Sequence, residues 1–236
     1  MVSRKSDKQS GRSGARALKV RVKTAKKRRL SSTLWLERQL NDPYVAAAKR
    51  EGYRSRAAFK LSEIDDKYGL LKPGQVIVDL GAAPGGWSQV AAERIKATDG
   101  SGALVAIDLS EMAPIAGATI LHADFMEPDA PERIIESLGG RKADAVLSDM
   151  AAPATGHPRT DHLRIMGLAE AALDFALQIL APGGFFVCKV LQGGTERALL
   201  DTMKRAFTTV RHVKPKASRA DSAELYVLAT GFRGTG

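Results

Sequence analysis

Between Val76 and Thr230 the chain alternates short apolar runs with helical stretches, and this pattern limits the available folds more than any other feature. Val76–Leu80, Ala103–Asp108, Thr119–His122, Ala143–Ser148 and Gly184–Val190 read as strands, separated by helical stretches at Gln89–Lys96, Pro131–Leu138 and Leu163–Leu180. Such a series predicts parallel strands with crossover helices on both faces. A further helix is expected at Glu196–Phe207, and two more strands at Thr209–Val213 and Glu224–Thr230. The link between those last strands has no helical pattern and is too short for a crossover, so the pair should be antiparallel. The expected architecture is α/β: a doubly wound sheet of seven strands, mostly parallel, whose last strand runs against the others.

Ahead of the sheet, Thr33–Leu40 and Val45–Arg50 read as short helices interrupted at Asn41-Asp42-Pro43. Ser55 is the expected N-cap of a helix running to about Tyr68, with Phe59, Ile64 and Tyr68 on one apolar face and Lys60 riding on it.

Composition sharpens the domain plan. A chain of 236 residues, 44% hydrophobic, suits one α/β domain. Its net charge of +10 is concentrated in residues 1–30, which hold twelve Lys or Arg and the single acid Asp7, leaving 24 basic and 25 acidic residues elsewhere. Dense like charge with few large apolar residues predicts a disordered basic tail over residues 1–30, followed by one folded domain over residues 31–236. Such a tail suits a phosphate-binding arm more than a mere solubility tail. A transit peptide shares its Ser- and Arg-rich composition but needs an apolar face that residues 1–30 lack. The lone Cys188 lies in an apolar run and reads as core packing, and His122, His157, His162 and His212 have no ligand spacing, so no metal is expected. Neither a membrane span nor a secretory signal is visible. A cytoplasmic protein is expected.

In sheets of this type ligands bind beyond the carboxyl ends of the strands. The first strand leads there into Gly81-Ala82-Ala83-Pro84-Gly85-Gly86-Trp87-Ser88, a glycine-rich turn opening a helix, although not with dinucleotide spacing. Asp108 ends the second strand where a ribose-binding carboxylate belongs, and Asp124 follows the third, suited to an adenine amino group. Trp87 suits either core packing or a pocket wall. Three strand ends thus point to a nucleotide-like ligand.

The run Val78-Asp79-Leu80-Gly81-Ala82-Ala83-Pro84-Gly85-Gly86-Trp87-Ser88-Gln89 resembles the cofactor motif of the FtsJ (RrmJ, RlmE) family of ribosomal RNA ribose 2′-O-methyltransferases. The resemblance spans Trp35 to Gly231 and includes Arg54-Ser55-Arg56-Ala57, Phe59-Lys60-Leu61, Ser148-Asp149-Met150-Ala151, Lys189-Val190, Ser218-Arg219-Ala220 and Glu224-Leu225-Tyr226. It implies a Rossmann-like methyltransferase sheet and S-adenosylmethionine held around Gly85, Trp87, Asp108, Asp124 and Asp149. It also implies a catalytic set of Lys60, Asp149, Lys189 and Glu224. The implied substrate is a uridine ribose 2′-hydroxyl of 23S ribosomal RNA, within the large subunit, and the implied protein is a monomer. Where the family more often has an aromatic residue and an acid after Lys189, this chain reads Val190-Leu191-Gln192-Gly193-Gly194, and the loop Ala152–Asp161 is its own.

The four charged residues also make sense by topology. Asp149 and Lys189 follow the fourth and fifth strands, both expected to flank the first, and an antiparallel last strand brings Glu224 to the same edge. Burial and a neighbouring cation both favour a neutral lysine, which makes Lys189 a candidate general base, with Lys60 supplying the neighbouring charge. Aromatic residues are only 6% of the chain, so RNA recognition should use phosphates and shape, through the tail, Arg54 and Arg56, more than base stacking. Transfer RNA or an mRNA cap would be alternative substrates for the same set. A pure RNA-binding assembly factor would not need it.

Overall fold

The computed structural model describes residues 30–193 and 197–234, so the expected tail falls outside the described residues except for Leu30. The chain divides into two compact units after Ala46. In the first, helix α1 (Leu30–Leu40) is followed by the start of helix α2 (Pro43–Glu51), which continues into the second unit. The break falls at Asn41-Asp42, as the sequence predicts. Pro43 opens α2, where its missing N–H costs nothing, and the Asp42 carboxylate accepts the Tyr44 N–H at 3.0 Å.

The second unit continues with α3 (Ala57–Tyr68), β1 (Val76–Leu80), α4 (Gly86–Arg94), β2 (Ala103–Asp108), β3 (Ala118–His122), α5 (Ala130–Ser137), β4 (Ala143–Ser148), α6 (Pro158–Ile179), β5 (Leu180–Leu191), α7 (Arg197–Ala206), β6 (Phe207–Val213) and β7 (Glu224–Phe232). The seven strands form one sheet in the order β3-β2-β1-β4-β5-β7-β6. The first five pair in parallel, and β7 runs antiparallel to both β5 and β6. This is the expected Rossmann-like plan. One neighbour differs: β1 is flanked by β2 and β4, while β5 sits one strand further out, so Lys189 does not flank the first strand directly.

Two local expectations are also corrected. Helix α6 starts at Pro158 instead of Leu163, steadied by the Thr155 N–H and hydroxyl, which donate to Asp161 at 2.7 and 2.6 Å. Ser55 does not cap α3: Arg56 holds the cap position without a side-chain bond, and the buried Ser55 hydroxyl has no hydrogen-bond partner among the described residues.

Side chains alternate across a strand, so each strand feeds two cores. On one face Val78 and Leu80 pack with Ile134 of α5, Leu173 of α6 and Met203 of α7, and Cys188 lies in the same core. On the other face Ile77, Leu147, Val187 and Leu228 pack with Leu61 and Ile64 of α3 and Trp87 and Val90 of α4. Counting in steps of two from these residues places Asp79, Asp149, Lys189 and Tyr226 on the α3–α4 face. That parity positions the site.

Candidate active site

Helix α3 buries Ala58, Leu61 and Ile64 at helical spacing, and this turns Lys60 inward with them. Its ammonium donates to Glu224 Oε2 at 2.8 Å and to the Tyr226 hydroxyl at 3.0 Å, and lies 3.9 Å from Asp149 Oδ2. Lys189 donates to the Asp149 backbone carbonyl at 2.7 Å and to its Oδ1 at 3.0 Å. The β5–β7 register explains why the last strand contributes here, since Lys189 pairs with Tyr226 and Leu191 with Glu224. The structure therefore brings Lys60, Asp149, Lys189 and Glu224 together, as the sequence analysis expects. Two ammonium groups and two carboxylates balance in charge at side-chain exposures of 9–16%.

Tyr226 belongs to this network and carries no role in the sequence analysis. Fully buried, it donates to Asp149 Oδ1 at 2.8 Å while accepting from Lys60. Burial and the nearby Asp149 and Glu224 carboxylates push its pKa well above the usual value, so it stays a neutral donor. Its signal was present: in a strand Glu224 and Tyr226 share a face, and Tyr226 is the polar-tipped member of that pair nearer the core. Burial alone would raise the Asp149 carboxyl, but the ammonium groups of Lys189 and Lys60, with hydrogen bonds from Lys189 and Tyr226, hold it below the usual carboxylate range.

Asp149 also lines a cavity of about 330 Å³ at the carboxyl ends of β1, β2 and β4. Asp108 and Asp124 face the same space, with Ile107, Phe125, Met150 and Leu168 supplying apolar wall. Asp108 uses one oxygen for the Ala83 N–H at 2.9 Å and the other for the Ser110 N–H at 2.7 Å, so each oxygen keeps a second lone pair for a ligand hydroxyl. Asp124 accepts the Met126 N–H at 2.8 Å. Gly81 forms part of the floor at a φ of +74°, and a Cβ there would run into Met150 at 2.6 Å. A volume in this range, apolar walls and two separated carboxylates fit a nucleoside. The residues therefore suit the implied cofactor.

Gly85 and Trp87 sit differently. Neither lines that cavity. Trp87 is 2% exposed, donates its indole N–H to the Ala57 carbonyl at 2.9 Å and packs 5.5 Å from the Tyr226 ring, so its side chain is core packing and not the pocket wall. Gly85 caps α4 at a φ of +109°. The first N–H groups of α4 have no acceptor within the helix, which leaves its backbone start as the part suited to a ligand.

Arg54, expected to meet RNA phosphates, uses its guanidinium on the protein itself. It donates to the Ala113 carbonyl at 2.7 Å, the Pro114 carbonyl at 2.6 Å and the Pro84 carbonyl at 3.4 Å, clamping the segment after β2 to the glycine-rich turn. The Arg56 guanidinium likewise donates to the Ala217 carbonyl.

Comparison with known proteins places this geometry. An FtsJ-like methyltransferase family model matches residues 53–232. A ribosomal RNA large subunit methyltransferase E of Paramagnetospirillum magneticum is 64% identical over 94% of this chain and 91% of its own length. Another, from Xanthobacter autotrophicus, is 68% identical over 93% and 86%. A crystal structure described as a ribosomal RNA methyltransferase from Plasmodium falciparum superposes with a TM-score of 0.69 at 32% identity, covering 78% of this chain and all of that one. With most of its length matched by that model and by these relatives, this chain belongs to the FtsJ-like methyltransferase family.

Proposed function

We propose that this enzyme methylates a uridine ribose 2′-hydroxyl in 23S ribosomal RNA of the large subunit, with S-adenosylmethionine as methyl donor. The observation that carries this reading is Asp149, which lines the nucleoside-sized cavity and also holds both lysines of the charged network. Asp108 would take the cofactor ribose and Asp124 its base, with the backbone start of α4 at Gly85–Trp87 serving the polar end. When bound, S-adenosylmethionine supplies an electrophilic methyl group on a sulfonium.

The chain's own residues supply the rest. To act as the base, the Lys189 ammonium first releases one proton to solvent. The resulting amine has two N–H bonds and one lone pair, and its two contacts to Asp149 use both N–H bonds and leave the lone pair to take the proton of the ribose hydroxyl. Lys60, fixed by Glu224 and Tyr226, keeps a positive charge beside the oxygen that becomes negative. Asp149 and Glu224 orient the two lysines. The basic segment 1–30 serves as a phosphate-binding arm, and the protein works as a cytoplasmic monomer.

The test is to incubate purified protein and labelled S-adenosylmethionine with large ribosomal subunits, free 23S RNA and transfer RNA from cells lacking the gene, then map the product. Methylation at one uridine ribose of 23S RNA is expected. Methyl on a base, or on transfer RNA alone, would overturn the substrate reading.

A further inference from the structure

Glu224 is held from two sides, and only one of them belongs to the charged network. Its Oε2 takes the Lys60 ammonium at 2.8 Å, while its Oε1 accepts the Ser218 hydroxyl, also at 2.8 Å. Ser218 is 5% exposed and lies in the connection between β6 and β7. We propose that Ser218 is a positioning residue of this enzyme, acting through Glu224 on the Lys60 ammonium. The proposal rests on the reading above, in which Lys60 and Glu224 serve methyl transfer.

The surrounding bonds show why Ser218 can do this. An exposed connection between antiparallel strands needs only a few residues and is free to vary in shape. This one is pinned by α3 and its cap. The Arg56 guanidinium donates to the Ala217 carbonyl, the Ala217 N–H donates to Glu63 Oε2 at 3.0 Å, and the Ser218 N–H donates to the Pro215 carbonyl at 2.9 Å. Arg56, Lys60 and Glu63 recur at helical spacing, so the segment that carries the ammonium also fixes the serine that orients its partner carboxylate. A hydroxyl donating to a partly buried carboxylate makes a strong, directional bond. Without it, Oε1 of Glu224 loses the Ser218 donor and the carboxylate is freer to rotate. Lys60 then has a second acceptor within reach, since Asp149 Oδ2 is already 3.9 Å away, and the ammonium can move toward it. The charge beside the reacting oxygen would be displaced while the fold stays intact.

A double-mutant cycle tests this, using Ser218→Ala, Glu224→Ala and the combined variant in single-turnover methylation at saturating RNA and cofactor. Ser218→Ala should lower the rate about 10- to 100-fold, the scale of one hydrogen bond to a charged group. In the Glu224→Ala background it should cost nothing further, because the group it orients is gone. Cofactor affinity by calorimetry should be unchanged in all three, since neither residue lines the cavity, and this also reports that each variant folds. A wild-type rate in Ser218→Ala, or losses that multiply in the double variant, overturns the proposal while leaving the site reading intact. A wild-type rate in Glu224→Ala instead overturns the site reading, and the proposal with it.

Discussion

Lys189 reaches Asp149 twice, through its backbone carbonyl at 2.7 Å and its carboxylate at 3.0 Å, so a single residue fixes both the position and the rotation of the amine. Arginine at this position keeps the charge but is effectively never deprotonated, and its planar fork cannot reproduce a tetrahedral pair of bonds. Lys189→Arg should therefore lower the single-turnover rate by about 10²–10⁴-fold, the span associated with loss of a general acid or base. Calorimetry should show cofactor affinity near that of wild type. A variant that retains a large share of the rate would leave Lys189 as an orienting charge only.

Asp108 lines the cavity proposed above for the cofactor. Both of its oxygens already accept a backbone N–H, so Asp108→Asn should keep part of the local turn while losing the charge and one acceptor. Affinity for S-adenosylmethionine should fall by about tenfold or more, as expected for a lost hydrogen bond to a charged group. The melting temperature should change little. Wild-type affinity in a folded Asp108→Asn protein would remove this residue from the cofactor site.

Arg54 joins two loops that border the cavity. Its three carbonyl acceptors come from residues 84, 113 and 114, and a lysine cannot span them with one ammonium. Both Arg54→Lys and Arg54→Ala should weaken cofactor binding by about tenfold, while RNA binding measured without cofactor stays near wild type. The opposite pattern, with RNA affinity lost and cofactor affinity kept, would return Arg54 to phosphate contact.

Asp79 is expected to give the fold a pH dependence. It is completely buried on the α4 side of β1, where its Oδ2 accepts the Ser88 hydroxyl at 2.6 Å and its Oδ1 has no partner among the described residues. Burial raises its pKa to about 7, the Ser88 bond opposes this, and the Asp149 and Asp108 carboxylates add to the rise. An acid whose folded pKa exceeds its unfolded value binds more protons when folded, so its contribution is fully present below the unfolded value, about 4, and is lost as pH rises through about 7. Asp79→Asn removes that titration. Thermal unfolding should show wild type losing stability between pH 5 and pH 8 relative to the Asn variant, with the gap changing by at least about 1 kcal/mol. Parallel curves would mean that Asp79 stays charged in the folded protein.

The order of elements, the sheet with its reversed last strand and the four charged residues of the site were legible in the sequence. Apolar periodicity and turn residues are local signals, and the short link between Val213 and Glu224 already excludes a crossover helix. Tertiary structure alone decided which strand neighbours β1, that the Trp87 side chain packs in the core, that Arg54 clamps loops, that Tyr226 joins the charged network and that Ser218 holds Glu224 from outside it. Each of those outcomes depends on a donor and an acceptor meeting within about 3 Å after the sheet has closed, between residues as far apart in sequence as Lys60 and Tyr226. Local composition carries no trace of such a meeting, because only the strand order and the side-chain parity of the finished sheet set which groups face one another.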